Sequence, residues 1–416
     1  MCKFLFVLLF SVCSLLECSA QMLEPMGWKA FSANQAETPT LGDRAVAIDG
    51  DTLFVGTSNG VYFYDQQNGW KPYALQGVNI RQLFKNENHI LFEAFDAGNT
   101  TQVYCSADWG KTYSKRMPDR NEYQYYLNLT PYSQFPGRFY LGGAIGRKYS
   151  WYRTEDFGET WNILDPVFEN GKKWGGKTIG VPTFAVSPSD NDHILAFGID
   201  GTWDCCVGYL FFSDDGFETV RDLWTDSHSR HNPIFLAASF CPDNDKIMLG
   251  ASTQGIHRSV DGGETWDVVL QHELKYEKRT MYWHVIFDNT RPGVAYALSK
   301  SKNSVLLAIS RDYGETWTTL VDSLTDFQGT WFLLTDEWLL LPSYCMTTPE
   351  ACSNELYRMN IDALLTSVSH PKFPDSEQIA PVSAGRKGVY DLQGRRVMDT
   401  APKGVYIVNG KKGEVR

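Results

Sequence analysis

Five acidic side chains, Asp43, Asp200, Asp204, Asp226 and Glu277, lie in segments that read as loops. Two carboxylates facing each other across a cleft could cleave a glycosidic bond. A separation of about 5.5 Å suits retention and about 6.5–9.5 Å suits inversion. Trp174, Trp203, Trp224 and Trp283 could stack on the apolar faces of sugar rings. Arg230, His231, Arg279 and His284 could hydrogen-bond hydroxyls or a carboxylate. Each also has a plainer reading. Loop carboxylates are mostly solvated, loop tryptophans mostly fold back on their own loop, and His284 falls in a strand, where a core histidine is common. The strict signatures GxSxG, HExxH and the P-loop are absent from the sequence. Nothing calls for a cofactor or a metal: Cys205 and Cys206 have no CxxC and no His at ligand spacing beside them.

The elements that must position these residues are strands. The chain has 416 residues, a formal net charge of -11, 14% aromatics and 35 glycines. Helical runs are scarce, so strands and turns dominate. The negative charge leaves no basic stripe for nucleic acid. An eight-residue turn recurs as "SADWGKTY" (106–113), "TEDFGETW" (154–161), "SDDGFETV" (213–220), "SVDGGETW" (259–266) and "SRDYGETW" (310–317). In each copy an Asp (Asp108, Asp156, Asp215, Asp261, Asp312) can accept backbone N–H groups, and Gly permits positive φ. The third copy shifts its Gly and lacks Trp, which predicts a distorted turn. Upstream, each copy follows two apolar runs joined by a Pro/Asp/Asn turn, then a third strand, as in "FAVSPSDNDHILAFG" (184–198). Four strands per 40–55 residues is the unit of a β-propeller.

Residues 51–70 and 338–360 spell two further units without the turn. The stretch "GWKAFSA" (27–33) reads as a lone outer strand that closes the ring against the last unit, removing exposed edges. The expectation is an all-β, seven-bladed propeller over residues 21–365, with six blades as the alternative. The turns between first and second strands, and between third and fourth, share one face. The long segments gather on the other, where Arg44 and Arg81 each start an inner strand.

The repeated turn resembles the Asp-box, or BNR, repeat of sialidases, sortilin-type receptor domains, xyloglucanases and a photosystem assembly factor. The resemblance implies a β-propeller whose Asp turns are structural and lie away from the ligand face; it does not imply a function. Sialidase chemistry needs three arginines, a Tyr–Glu pair and an Asp, on six blades. Here "GDRAVAIDG" (42–50) offers Arg44 without the family's Arg-Ile-Pro, and no third arginine is apparent. The reading favoured is an exported propeller that binds a glycan or a surface protein through its loop-rich face. The alternative is a glycoside hydrolase; a scaffold or assembly role is a third.

Lys3, the apolar "FLFVLLFSVCSLL" (4–16) and "CSA" (18–20) read as a signal peptide over residues 1–20. No other apolar run is long enough to span a membrane. Removal of the signal leaves Cys105, Cys205, Cys206, Cys241, Cys345 and Cys352. An even number suggests disulfides, with Cys345–Cys352 the best pair and Cys241 within reach of Cys205 or Cys206. Residues 366–385 read as a linker. The last 31 residues, 386–416, with "VYDLQGRRV" and "KGVYIVNGKK", read as three short strands and resemble the C-terminal sorting tail of the Bacteroidetes type IX secretion route. That resemblance implies export machinery as a partner.

Overall fold

The computed structural model describes residues 23–35, 38–95, 101–116, 124–131, 137–145, 148–168, 183–200, 207–224, 232–271, 281–300, 305–322, 327, 329–343 and 354–367, with four short strands beyond residue 388. The chain forms two compact units that part after Ser367. The first unit is a seven-bladed β-propeller, and the six-bladed alternative is not realised.

Blade 1 runs outward from the inner strand Leu41–Asp49 through Thr52–Thr57 and Gly60–Asp65 to Gly69–Ala74. Blade 2 repeats this with Ile80–Asn86, His89–Phe95, Thr101–Ser106 and Ser114–Lys115, and blade 3 with Gln124–Pro131, Phe139–Ile145, Lys148–Thr154 and Asn162–Leu164. Blade 4 comprises Thr183–Val186, Ile194–Asp200, Val207–Ser213 and Thr219–Asp222; Val167–Phe168 adds a parallel fifth strand on its outer edge. Blade 5 comprises Phe235–Cys241, Asn244–Ser252, Gly255–Ser259 and Asp267–Leu270, and blade 6 Met281–Phe287, Ala295–Lys300, Val305–Ser310 and Thr318–Asp322. Blade 7 takes Leu333–Leu334, Trp338–Ser343 and Glu355–Asn360 from the end of this unit and its outer strand, Glu24–Pro25, from the beginning.

The ring therefore closes by pairing its two ends, but not with the expected segment. The closing strand is Glu24–Pro25, and Trp28–Ser32 within "GWKAFSA" forms a helix. The helix has a reason to form: Glu355 receives its first N–H groups, and Trp28 is fully buried against Phe31, Tyr62 and Trp70.

The core is a set of wedges between blades rather than one central mass. One cluster joins blades 7 and 1 around Trp28, Val55 and Leu340. Another joins blades 1 and 2 around Phe54, Ile80 and Phe92. The same arrangement repeats between blades 2 and 3, 3 and 4, 4 and 5, and 5 and 6. Each blade's apolar faces are thus buried only by its neighbours, as in other repeat architectures.

The five Asp turns share one hydrogen-bond pattern. In "SVDGGETW", Ser259 Oγ donates to Asp261 Oδ1 (2.9 Å) and accepts the Gly263 N–H (2.9 Å). Asp261 accepts the Thr265 N–H at 3.0 Å and hydroxyl at 2.6 Å. The residue after the Asp then donates its N–H to the hairpin formed by the first two strands of the same blade: Trp109 to Asn88, Phe157 to Gly137, Gly216 to Asp192, Gly262 to Lys246 and Tyr313 to Gly293. The third copy is not distorted. Phe217 takes the position held by Gly in the other four copies, at φ 77, and its N–H bonds Ser213 Oγ at 2.8 Å. The strain of a left-handed Phe, about 1 kcal/mol, is offset because its ring is buried against Trp151 and Phe184.

Cys105 and Cys241 are buried free thiols, and the described residues hold no disulfide. The expected link from Cys241 to Cys205 or Cys206 is therefore not made. Cys241 instead fills the wedge between blades 5 and 6 as a small apolar side chain. Cys345 and Cys352 lie outside the described residues. The second unit holds four antiparallel strands, Val389–Tyr390, Arg396–Val397, Gly404–Val408 and Lys411–Val415, one more than the sequence suggested. No helix among the described residues is long and apolar enough to cross a membrane.

Candidate functional site: the loop-rich mouth of the channel

Five inner strands depart from regular pairing near their starts. The shifts fall between Leu41 and Val46, Ile80 and Gln82, Tyr125 and Asn128, Phe235 and Ala237, and Tyr282 and His284. A bulge re-aims side chains that a flat strand would bury between sheets. In blade 1 the irregular stretch carries Asp43 and Arg44, the latter at φ 55. Gly42 lies so close to blade 2 that a Cβ there would stand 2.3 Å from the Ile80 carbonyl. That approach brings Asp43–Arg44 beside Arg81, the bulged residue of blade 2. In blade 6 the bulged residue is Trp283, with His284 next to it.

Glu93 sits one strand outward, paired in register with Gln82. It is fully buried, and neither carboxylate oxygen has a well-aligned hydrogen-bond partner. Burial pushes its pKa up to about 7, although Arg81, Arg44 and the nearby Leu129 backbone favour the charged form. Asp43 adds to the rise. His284 packs against the Trp331 and Phe332 rings, at 6.1 and 4.6 Å between centroids, and its Nδ1 is buried without a partner. Burial, with the Arg44 charge, lowers its pKa to about 3, so it is neutral. Lys300 ends the second strand of blade 6; burial lowers its pKa and Asp43 opposes that. Asp43 Oδ1 is likewise buried without a partner.

Asp43, Arg44, Arg81, Glu93, His284 and Lys300 thus form one electrostatically linked group drawn from blades 1, 2 and 6. Arg44 acts on both Glu93 and His284, and Asp43 on both Glu93 and Lys300. All six lie at inner-strand starts or second-strand ends, the loop-rich side. Such a group can hold a polar ligand with mixed charge at the channel mouth. No cluster of His, Cys, Asp and Glu suited to a metal ion occurs among the described residues.

The other sequence candidates fare differently. Trp224 does not face the mouth: its indole lies edge-on to Phe235 at 5.2 Å, in the wedge between blades 4 and 5. Asp200 ends a strand of blade 4, with its side chain outside the described set. Trp174, Trp203, Asp204, Asp226, Arg230, His231, Glu277 and Arg279 lie outside the described residues. Glu93 and Lys300 were missed by sequence reasoning. Their signal was a charge within an otherwise apolar strand, in "ILFEAF" and "AYALSK". The Asp-turn carboxylates are ionised: the Thr112 N–H and hydroxyl hold Asp108 down to about 2. They lie on the opposite face and are structural.

The chain matches no protein-family model and no curated protein sequence. Among solved structures it is similar to YCF48 bound to a D1 peptide, at 14% identity and TM-score 0.51, covering 77% of this chain and 92% of that one. It is also similar to an ancestral GH74 enzyme, at 10% identity and TM-score 0.51, covering 89% and 50%. Puromycin hydrolase aligns at 11% identity and TM-score 0.51, covering 77% and 53%. The chain spans about half the length of the latter two. At these identities the likeness establishes the seven-bladed propeller and no activity.

Proposed function

We propose that this chain is an exported or cell-surface binding propeller that takes a glycan or a protein at its loop-rich channel mouth. The observation that supports this most is the convergence of Arg44, Arg81, Asp43, Glu93, His284 and Lys300 from three blades, with buried polar atoms of Asp43 and His284 left without partners. A buried polar atom without a partner is costly, and a ligand offering hydroxyls or amides would supply one. The test is a binding screen of the full chain against glycan and peptide panels, repeated with Arg81→Ala. Loss of at least about tenfold in affinity supports the mouth as the site. A bound ligand whose affinity ignores Arg81 removes it.

A glycoside hydrolase is the second reading, favoured by the coupling of two carboxylates, Asp43 and Glu93, in the mouth. Full burial of Glu93 argues for binding instead, because a proton donor must touch its substrate. Product analysis after incubation with plant and host glycans separates the two: any defined released sugar sinks the binding reading. The Asp turns support kinship with Asp-box propellers. The signal-like N-terminus and the strand-forming tail support export by a type IX route. Retention in the cell after removal of residues 386–416 is the outcome that route requires.

A further inference from the structure

We infer that the opposite face carries a second, separate site: a platform for a neutral sugar ring, made by Trp109 between blades 1 and 2. Among the Asp turns, three have an aromatic residue directly after the Asp. Phe157 stacks on His89, the first residue of the second strand of blade 2, at 4.2 Å and 6°. Tyr313 packs into the wedge between blades 5 and 6. Trp109 alone of the three is 52% exposed. The reason lies in blade 1. The residue equivalent to His89 there is Thr52, which pairs with Asp49 as His89 pairs with Asn86. Thr52 has no ring to lay over the indole. An open, shallow depression is left instead, lined by Asp49, Gly50, Glu87, Asn88 and Trp109.

The platform is held from beneath. Lys85, whose side chain is 1% exposed, places its ammonium 4.8 Å from the Trp109 ring and 5.0 Å from the Phe54 ring. Its Nζ donates to Asp49 Oδ2 at 2.5 Å and to the Glu87 carbonyl. The Trp109 N–H is tied to Asn88 O at 3.0 Å. Both the ring and its backbone are therefore fixed before any ligand arrives, which lowers the entropy lost on binding.

The chemistry selects the occupant. The open indole face suits the C–H face of a pyranose. The Glu87 carboxylate, the Asp49 oxygen not held by Lys85 and the Asn88 amide oxygen around it suit hydroxyl groups, the Asn88 amide N–H being given to the Ala107 carbonyl. An anionic sugar finds only carboxylates and an amide at the rim, since Lys85 is buried and already paired. A cationic ligand would share the indole with Lys85, which already draws on the ring's electron density from below. A neutral oligosaccharide meets neither objection. The site stands independently of the channel mouth and of the function proposed for it.

The experiment is calorimetric titration of the full chain with cellohexaose, maltohexaose and mannohexaose, each also with Trp109→Ala and Trp109→Phe. The expected result is measurable binding of at least one hexasaccharide, weakened by about tenfold or more in Trp109→Ala and partly restored in Trp109→Phe. Trp109 also covers the buried Lys85, so thermal melting checks the folding of both variants, and Trp109→Phe should match the parent. Failure of all three sugars to bind at about millimolar concentration overturns the proposal. So does binding that Trp109→Ala leaves unchanged, which would place the sugar elsewhere.

Discussion

The backbone N–H of Trp28 donates to Glu355 Oε1 at 2.8 Å, joining residues 327 positions apart in the chain. The same carboxylate accepts the Lys29 N–H at 3.3 Å and the Leu356 N–H at 3.0 Å. Next to it, Asn354 accepts the Leu41 N–H and donates to Ser32 Oγ and the Pro39 carbonyl. Two adjacent side chains of blade 7 thus fasten the start of the unit to its end. Burial raises the Glu355 pKa, while the three N–H groups work to keep it ionised.

Glu355→Ala should therefore cost about 2–4 kcal/mol, because it leaves buried N–H groups at the helix start unpaired. Urea denaturation measures it. A loss within experimental error would mean that Glu24–Pro25 and the Trp28 packing close the ring unaided.

Asp261→Ala removes the two acceptors that hold Thr265 in the turn. The site is largely solvated, so about 1 kcal/mol of stability should be lost, with no effect on ligand binding at the mouth. A melting curve and a titration of the same sample check both halves.

Glu93 binds its proton more tightly in the folded chain, with a pKa of about 7, than in the unfolded one. Its contribution to stability is full below about pH 4.5 and is lost as pH rises through 7. Glu93→Gln is blind to that loss. The variant's melting temperature relative to the parent should therefore rise between pH 5 and pH 8, by the equivalent of about 2–3 kcal/mol. A difference that stays flat with pH would mean that Glu93 remains ionised in the fold.

His257 behaves in the opposite sense. It is 5% exposed, its Nε2 lies 2.9 Å from Ser252 Oγ, and burial lowers its pKa to about 4. The unfolded chain takes up this proton near pH 6.5, so stability is present above that value and falls as pH drops towards 4. The loss is on the order of 2–3 kcal/mol. His257→Gln should remove its share of this limb of the stability curve, leaving the share of buried His284 and the Glu93 limb intact.

The propeller was legible in the sequence because each blade repeats the same local grammar. Five Asp turns and the Pro/Asp/Asn turns before them mark strand ends without long-range information. What misled were residues whose role depends on a distant partner. "GWKAFSA" has strand-like aromatics, but Glu355, over three hundred residues away, caps it as a helix. Phe217 looked like a lost Gly until the blade 3 ring Trp151 covered it. Trp224 looked like a loop platform, yet Phe235 of the next blade draws it inward. At the mouth, Asp43, Arg44, Arg81 and His284 could be placed by strand starts alone. Glu93 and Lys300 could not, because they sit one strand outward and only the packing of the folded ring links their charges to Arg44, Arg81 and Asp43.

The paired ends of blade 7 also set a timetable. Blades 1 to 6 are built from neighbouring stretches and can form as the chain emerges. The two-residue strand Glu24–Pro25 must wait, beside an unfilled slot, until Glu355–Asn360 has been made. Until then Trp28 has no Glu355 to dock on and blade 1 keeps one apolar flank bare. During synthesis the ring can close only after residues 355–360 have been made.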